Sequence, residues 1–174
     1  MTKFFITTGF ILFSLYSNSQ ELHVTCSERE ISNGKEFDPT IVKTCWLKNF
    51  KIVSTGYPDY KGRYSYEQEA YVRRDEKLLK IKNSEIFNSS QIELDSIINK
   101  KIQDDYNSMR GDPDFKPCFD DIDSIPKYSI DEMLISFQGQ EIWFSVSFGL
   151  TGACKSADGT IVSFNLALIS KYLN

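Results

Sequence analysis

Hydrophobic positions recur with two different periods along this chain, and the change of period separates two strand-rich parts from one helix. Between residues 22 and 86, short runs of β-branched and aromatic residues alternate with turn sequences such as Ser32-Asn33-Gly34 and Gly56-Tyr57-Pro58-Asp59. Runs of this kind are typical of strands. The predicted strands are 22–26, one or two pieces within 40–55 with a break near Asn49, 64–73 and 78–86.

The middle of the chain predicts one long amphipathic helix. Ser90 and Glu93 have the spacing of a capping box, in which each side chain binds a backbone N–H of the first turn. Gly111, followed by Asp112 and Pro113, ends the pattern. Apolar residues recur at spacings of three and four and form one stripe: Ile92, Leu94, Ile97, Ile98, Ile102, Tyr106 and Met109.

The C-terminal part returns to a period of two. Over 142–150, apolar residues alternate strictly with Trp143, serines and a glycine, as in a strand with one buried face. Turn signals at Gln138-Gly139-Gln140 and Asp158-Gly159 place strands before and after it, within 128–137 and 161–168. We therefore predict an α+β fold, an antiparallel meander of about five to seven strands packed against the long helix and stapled by disulfides.

The N-terminus has the pattern of an export signal. Lys3 precedes an apolar stretch over 4–16, and Ser17 and Ser19 are small residues before a cleavage point at Gln20. The apolar stretch is shorter than the roughly 20 residues that a membrane-spanning helix needs. We expect a signal peptide at 1–19 and a single α+β domain at 20–174, secreted or periplasmic and without a stable membrane anchor. The alternative is an uncleaved N-terminal anchor.

Four cysteines follow the predicted signal peptide. In an oxidising compartment, an even number predicts two disulfides, and the spacing leaves all three connectivities open. A zinc site would need close cysteine pairs and histidines, whereas His23 is the sole histidine, so we expect no metal at these residues. The cysteines are Cys26, Cys45, Cys118 and Cys154.

Charge narrows the range of partners. The chain has 20 Lys and Arg against 24 Asp and Glu, and the two signs are mixed along it. A nucleic-acid-binding protein would show a basic stripe, so we expect no nucleic-acid partner. No nucleophile or cofactor motif is present, and we expect no cofactor.

Two segments are candidate binding sites. Five of the nine tyrosines fall between residues 57 and 71, and tyrosine suits recognition of proteins or sugars because it combines a large rigid area with a polar tip. The alternative is that these tyrosines are cross-strand packing residues of an edge hairpin with its turn at Asp59 to Gly62. The loop 149–155 is tight and rich in glycine, and its lysine is able to project towards a partner, but the favoured alternative is a structural turn or bulge stapled by Cys154. The candidate binding residues are Tyr57, Tyr60, Arg63, Tyr64, Tyr66, Gly152 and Lys155.

Carboxylates offer two further hypotheses. Asp120, Asp121 and Asp123 belong to an acidic loop that a Ca²⁺ ion would suit, but its spacing is not that of a calcium-binding loop, and we expect a solvated loop pinned by Cys118. Hydrolysis of a glycan would need two carboxyl groups facing each other in a cleft, which the spacing does not predict. The candidates for such a pair are Glu67, Glu69, Asp131, Glu132 and Glu141.

Together these features favour a small exported binding protein, such as an inhibitor or immunity-type protein acting against a hydrolase or toxin. Its partner would be a protein or a glycan in the cell envelope or the extracellular space. Export, disulfides and the lack of a catalytic motif support this hypothesis. The alternatives are a small secreted hydrolase with paired carboxylates and a structural or surface protein without a small ligand.

Overall fold

The computed structural model describes residues 22–32, 34, 38–120 and 122–174, which form an α+β fold of two antiparallel sheets and one long helix. The predicted signal peptide lies outside the described residues, as does Asp121. The eight strands exceed the five to seven expected, and they divide between a five-stranded sheet and a three-stranded sheet. Within the described chain, no helix is long and apolar enough to cross a membrane.

The first five strands form the large sheet, in the order of the sequence. The prediction of a turn at 56–59 was wrong, because the strand continues through Pro58 and the chain reverses at 59–63. The β3–β4 hairpin does not lie at the edge of the sheet, as the packing alternative for the tyrosines required, since β1 and β5 are the edge strands. The strands are β1 (Val24–Ile31), β2 (Thr40–Leu47), β3 (Phe50–Pro58), β4 (Tyr64–Arg74) and β5 (Lys77–Ile81).

The small sheet is the predicted meander of three strands. It consists of β6 (Leu134–Gln138), β7 (Glu141–Val146) and β8 (Thr160–Asn165), and a short helix α2 (Leu166–Ile169) follows. The alternation in β7 is confirmed, because its even-numbered apolar side chains are buried. It ends at Val146, where the chain leaves the sheet.

The long helix α1 (Gln91–Gly111) ends at the predicted residue and lies against β8. Its buried stripe is narrower than predicted, because Ile92 is 82% exposed. The capping box was also wrong, because Ser90 makes no side-chain cap and the Glu93 carboxylate instead accepts a hydrogen bond from the Tyr172 hydroxyl. The buried helix residues are Leu94, Ile98, Ile102 and Tyr106.

The larger of two hydrophobic clusters joins β2, β3 and β4 to the buried face of the small sheet and the first turns of α1, and the smaller cluster surrounds Tyr106 near the end of α1. Both predicted disulfides are present. Cys26 pairs with Cys45 directly across β1 and β2, and Cys118 pairs with Cys154 to pin the loop after α1. Disulfides are typical of proteins that mature in an oxidising compartment.

Candidate functional site

The β3–β4 hairpin presents its aromatic end, residues 57–66, to solvent, and we call this segment the hairpin end. The Asp59 carboxylate holds its turn by accepting hydrogen bonds from the backbone N–H groups of Lys61 and Arg63, and it also pairs with the Arg63 guanidinium at 2.7 Å. The pKa of this carboxyl lies below its usual value because of the Arg63 bonds. Tyr60, at the centre of the turn, is 86% exposed. The turn is therefore ordered although its aromatic side chain is unpacked.

Strand alternation divides the candidate tyrosines between the two faces of the sheet. Tyr64 and Tyr66 lie on one face, over Gly56, and their ring centroids are 6.2 Å apart. A Cβ atom at Gly56 would lie 2.7 Å from the Tyr66 ring, so only glycine leaves room for this pair. Tyr57 is opposite Ser65 and lies on the other face. The structure therefore places these residues at one end of the sheet but not on one surface.

A cleft of about 580 Å³ separates the large sheet from the less buried face of the small sheet. Tyr66 is at this cleft, so the hairpin end and the cleft adjoin. Two side chains of the large sheet cross to the open edge of β6: the Lys43 ammonium donates to the Phe137 carbonyl, and the Gln68 amide binds both the N–H and the carbonyl of Ile135. These side chains thus bind backbone groups of β6 that a neighbouring strand would otherwise bind.

The turn before β8, at Asp158 and Gly159, forms another wall of the cleft, and Asp158 organises the glycine-rich loop. The side chain of Asp158 is 2% exposed, and it accepts hydrogen bonds from the Ser147 hydroxyl, the Leu150 N–H and the Lys155 ammonium. Burial by itself raises the pKa of this carboxyl, but these bonds outweigh burial and the pKa lies below its usual value. Lys155 is therefore held against Asp158, and Gly152 adopts a positive φ of 62° beside it.

Four of the five candidate catalytic carboxylates line a separate groove of about 560 Å³ on the outer face of β3 and β4. Glu69 is paired with Lys80 and hydrogen-bonded to Tyr71, which keeps the pKa of its carboxyl low. A general acid needs the opposite shift. Asp131 in turn accepts hydrogen bonds from the N–H and hydroxyl of Ser84. This arrangement suits structural anchoring better than acid catalysis. The four carboxylates are Glu67, Glu69, Asp131 and Glu132.

One carboxyl, that of Asp95 on α1, has a raised pKa, because burial disfavours its charged form. It lies in a groove beside 125–129, where the neighbouring amide of Asn99 binds both the N–H and the carbonyl of Tyr128. Among the described residues, one carboxylate oxygen of Asp95 is buried without a hydrogen-bond partner, while its backbone carbonyl accepts from the Asn99 amide. These contacts anchor the connecting segment to the helix.

Hydrogen bonds between side chains and backbone groups hold the acidic loop that follows α1. The Asp112 carboxylate accepts from the Asp114 N–H, and Arg110 donates to the Asp123 carbonyl. Among the described residues, no three His, Cys, Asp or Glu side chains are grouped so that they could hold a metal ion. Asp120 is exposed within this loop.

Sequence reasoning missed the cleft. Lys43 and Gln68 give no local signal, because each is an ordinary polar residue in a strand whose contact lies 94 or 67 positions away. No family model, curated protein or solved structure matches this chain. What the site binds has therefore to follow from the chemistry of its own side chains.

Proposed function

We propose that this chain is an exported binding protein whose hairpin end contacts a protein or glycan partner in the cell envelope or the extracellular space. The observation that carries this proposal is Tyr60, a large side chain that is 86% exposed on a turn fixed by Asp59. An exposed tyrosine on a fixed turn costs little conformational entropy on binding, because its backbone is already held and its side chain has few rotatable bonds, and tyrosine is common among the residues that dominate interface energies. Tyr57, 44% exposed, and Tyr66, 50% exposed, extend the same end.

An inhibitor or immunity-type protein fits this arrangement, because such proteins act by presenting a rigid surface. The low pKa of the Glu69 carboxyl and the anchoring contacts of Asp131 favour binding over a carboxylate-based hydrolase.

Replacing Tyr60 by alanine is expected to abolish capture of the partner from the native surroundings while shifting Tm by no more than about 2 °C, because an exposed side chain contributes little to folding. Ile92→Ala is the matched control, since Ile92 is 82% exposed on α1 and far along the chain. We would measure capture with each variant as bait and Tm by circular dichroism. If Tyr60→Ala captures the partner as well as Ile92→Ala does, the hairpin end does not bind the partner.

Export is a separate part of the proposal, supported by the apolar N-terminal pattern and by the two disulfides. The chain recovered from the source is expected to begin at Gln20 and to lie outside the cytoplasm. N-terminal sequencing after cell fractionation would measure this. An intact Met1 on a chain in the cytoplasmic fraction, with thiols that react with maleimide, would contradict it.

A further inference from the structure

We propose that the cleft between the two sheets binds a neutral oligosaccharide. This inference deepens the proposed function by naming a ligand class for the surface that adjoins the hairpin end, and it rests on that function only through Tyr66, which belongs to both. The volume of about 580 Å³ lies within the range of about 300–1,000 Å³ typical of small-molecule sites.

The first step is that the cleft contains hydroxyl groups without protein partners. Ser136 and Ser145 project from the small sheet into the cleft, and within the described part of the chain neither hydroxyl makes a hydrogen bond. Ser54, on the opposite wall, accepts one bond from the Gln68 amide and keeps its own proton to donate. These groups are open to a ligand and already fixed by their strands.

The second step is that apolar side chains alternate with these hydroxyls. Leu134, Ser145 and Ile161 form one row across β6, β7 and β8, so a hydroxyl lies between two aliphatic side chains. Sugars present the same mixture of C–H patches and hydroxyls. Tyr66 also lines the cleft, with its ring centroid 6.2 Å from that of Tyr64, and it offers an aromatic face to such a C–H patch.

The third step concerns charge. Glu28 lies opposite Lys43 in the β1–β2 register, and both line the cleft. The Asp158 carboxylate is already paired with Lys155. One open carboxylate and one ammonium balance each other, so the cleft favours neither an anionic nor a cationic ligand. Both groups are able to bind sugar hydroxyls, as acceptor and donor respectively.

Two other occupants fit the cleft less well. An extended peptide would have to add to the open edge of β6, but Gln68 already binds the N–H and the carbonyl of Ile135 there, and Lys43 binds the carbonyl of Phe137. An acyl chain would leave the hydroxyls of Ser136 and Ser145 buried without partners, which is costly. A neutral sugar satisfies both the hydroxyls and the aliphatic rows.

The test is titration of the folded, disulfide-bonded protein with maltotriose, cellotriose and triacetylchitotriose. Binding would be measured by calorimetry and by NMR shifts. We expect saturable binding of at least one of the three, with shifts confined to residues such as Ser136, Ser145 and Ile161. The double variant Ser136→Ala/Ser145→Ala should weaken that binding at least tenfold with Tm unchanged, because neither hydroxyl supports the fold. Ser163→Ala is the matched control, since Ser163 shares that sheet face but does not line the cleft.

The proposal is overturned if none of the three sugars binds, if the double variant binds as tightly as the wild type, or if an acyl chain or a sulfated trisaccharide competes for the same residues. Partner capture in the double variant separates this proposal from the proposed function. Capture that is lost only with Tyr60→Ala leaves the hairpin end as the partner surface whatever the sugars do.

Discussion

Replacing Gly159 by alanine is expected to prevent folding or to lower Tm by about 10 °C or more. Gly159 has a φ of +101°, a region that side-chain-bearing residues rarely adopt, and its Cβ would lie 2.0 Å from the Val146 carbonyl oxygen. That oxygen belongs to the backbone of β7, so relief would require β7 and β8 to separate. We would measure Tm and the free energy of unfolding in urea, expecting a loss of about 4 kcal/mol or more.

Two other glycines provide controls for the two causes. Gly139 has a φ of +58° but nothing within 4 Å of its Cβ position, so Gly139→Ala should cost only the backbone strain, about 1–2 kcal/mol. Gly111 has neither a positive φ nor a neighbour, and Gly111→Ala should leave Tm unchanged or slightly higher. A Gly159→Ala variant as stable as Gly139→Ala would show that the close approach to β7 does not exist.

The second large effect is expected from Asp158→Ala, which should cost about 2–4 kcal/mol. The substitution removes the acceptor for Ser147, Leu150 and Lys155 together, and it leaves the N–H of Leu150 without a partner. The amides of the loop 147–155 should then exchange rapidly with solvent, while those of α1 stay protected. Exchange that rises equally in the helix and the loop would mean that Asp158 supports the whole fold instead of this loop.

The contribution of the Asp158 charge to the free energy of unfolding depends on pH in a direction that follows from its pKa. Because the pKa of the Asp158 carboxyl is lowered in the folded state, its charge stabilises the fold above the unfolded pKa of about 3.9, and this contribution is lost as the pH falls through the folded pKa. Asp158→Asn keeps an acceptor but not the charge. The Tm difference between wild type and Asp158→Asn should be constant between about pH 5 and 8 and should shrink below about pH 4. A difference that persists at lower pH would assign the effect to shape and not to charge.

The spacing of apolar residues along the sequence predicted those elements whose buried residues recur at one regular interval. The helix and the start of β7 were predicted closely because their apolar residues recur regularly and each packs one face against the core, whereas the same alternation continues beyond Val146, where the strand ends. The prediction of a capping box was wrong because the Glu93 carboxylate instead accepts a hydrogen bond from Tyr172, a residue 79 positions away. The division into two sheets also depends on a distant contact, since β4 meets β6 through the Gln68 side chain and not through a backbone ladder. No window of neighbouring residues contains that information.

The candidate site was predicted in part. Composition drew attention to the tyrosines, but it does not say on which face of a strand each one lies, and that depends on where the turn falls. The turn at 59–63 lies later than the one predicted at 56–59 and agrees with the hairpin turn that the packing alternative placed at Asp59 to Gly62, and Tyr57 consequently belongs to a strand. Asp158-Gly159 was correctly predicted as a turn. The role of its carboxylate was not, because burial of a single aspartate is decided by what packs around it.

Strand β1 borders the cleft through Glu28, yet residues 25–31 are exposed along their whole length. Side-chain packing adds little to the backbone ladder that joins this strand to β2, and the covalent link from Cys26 to the buried Cys45 reinforces that attachment. Chemical reductants would then loosen one wall of the cleft and uncover the backbone of β2, a surface on which unfolded chains pair and aggregate. We therefore expect low solubility to be the first obstacle to producing this protein in a reducing host.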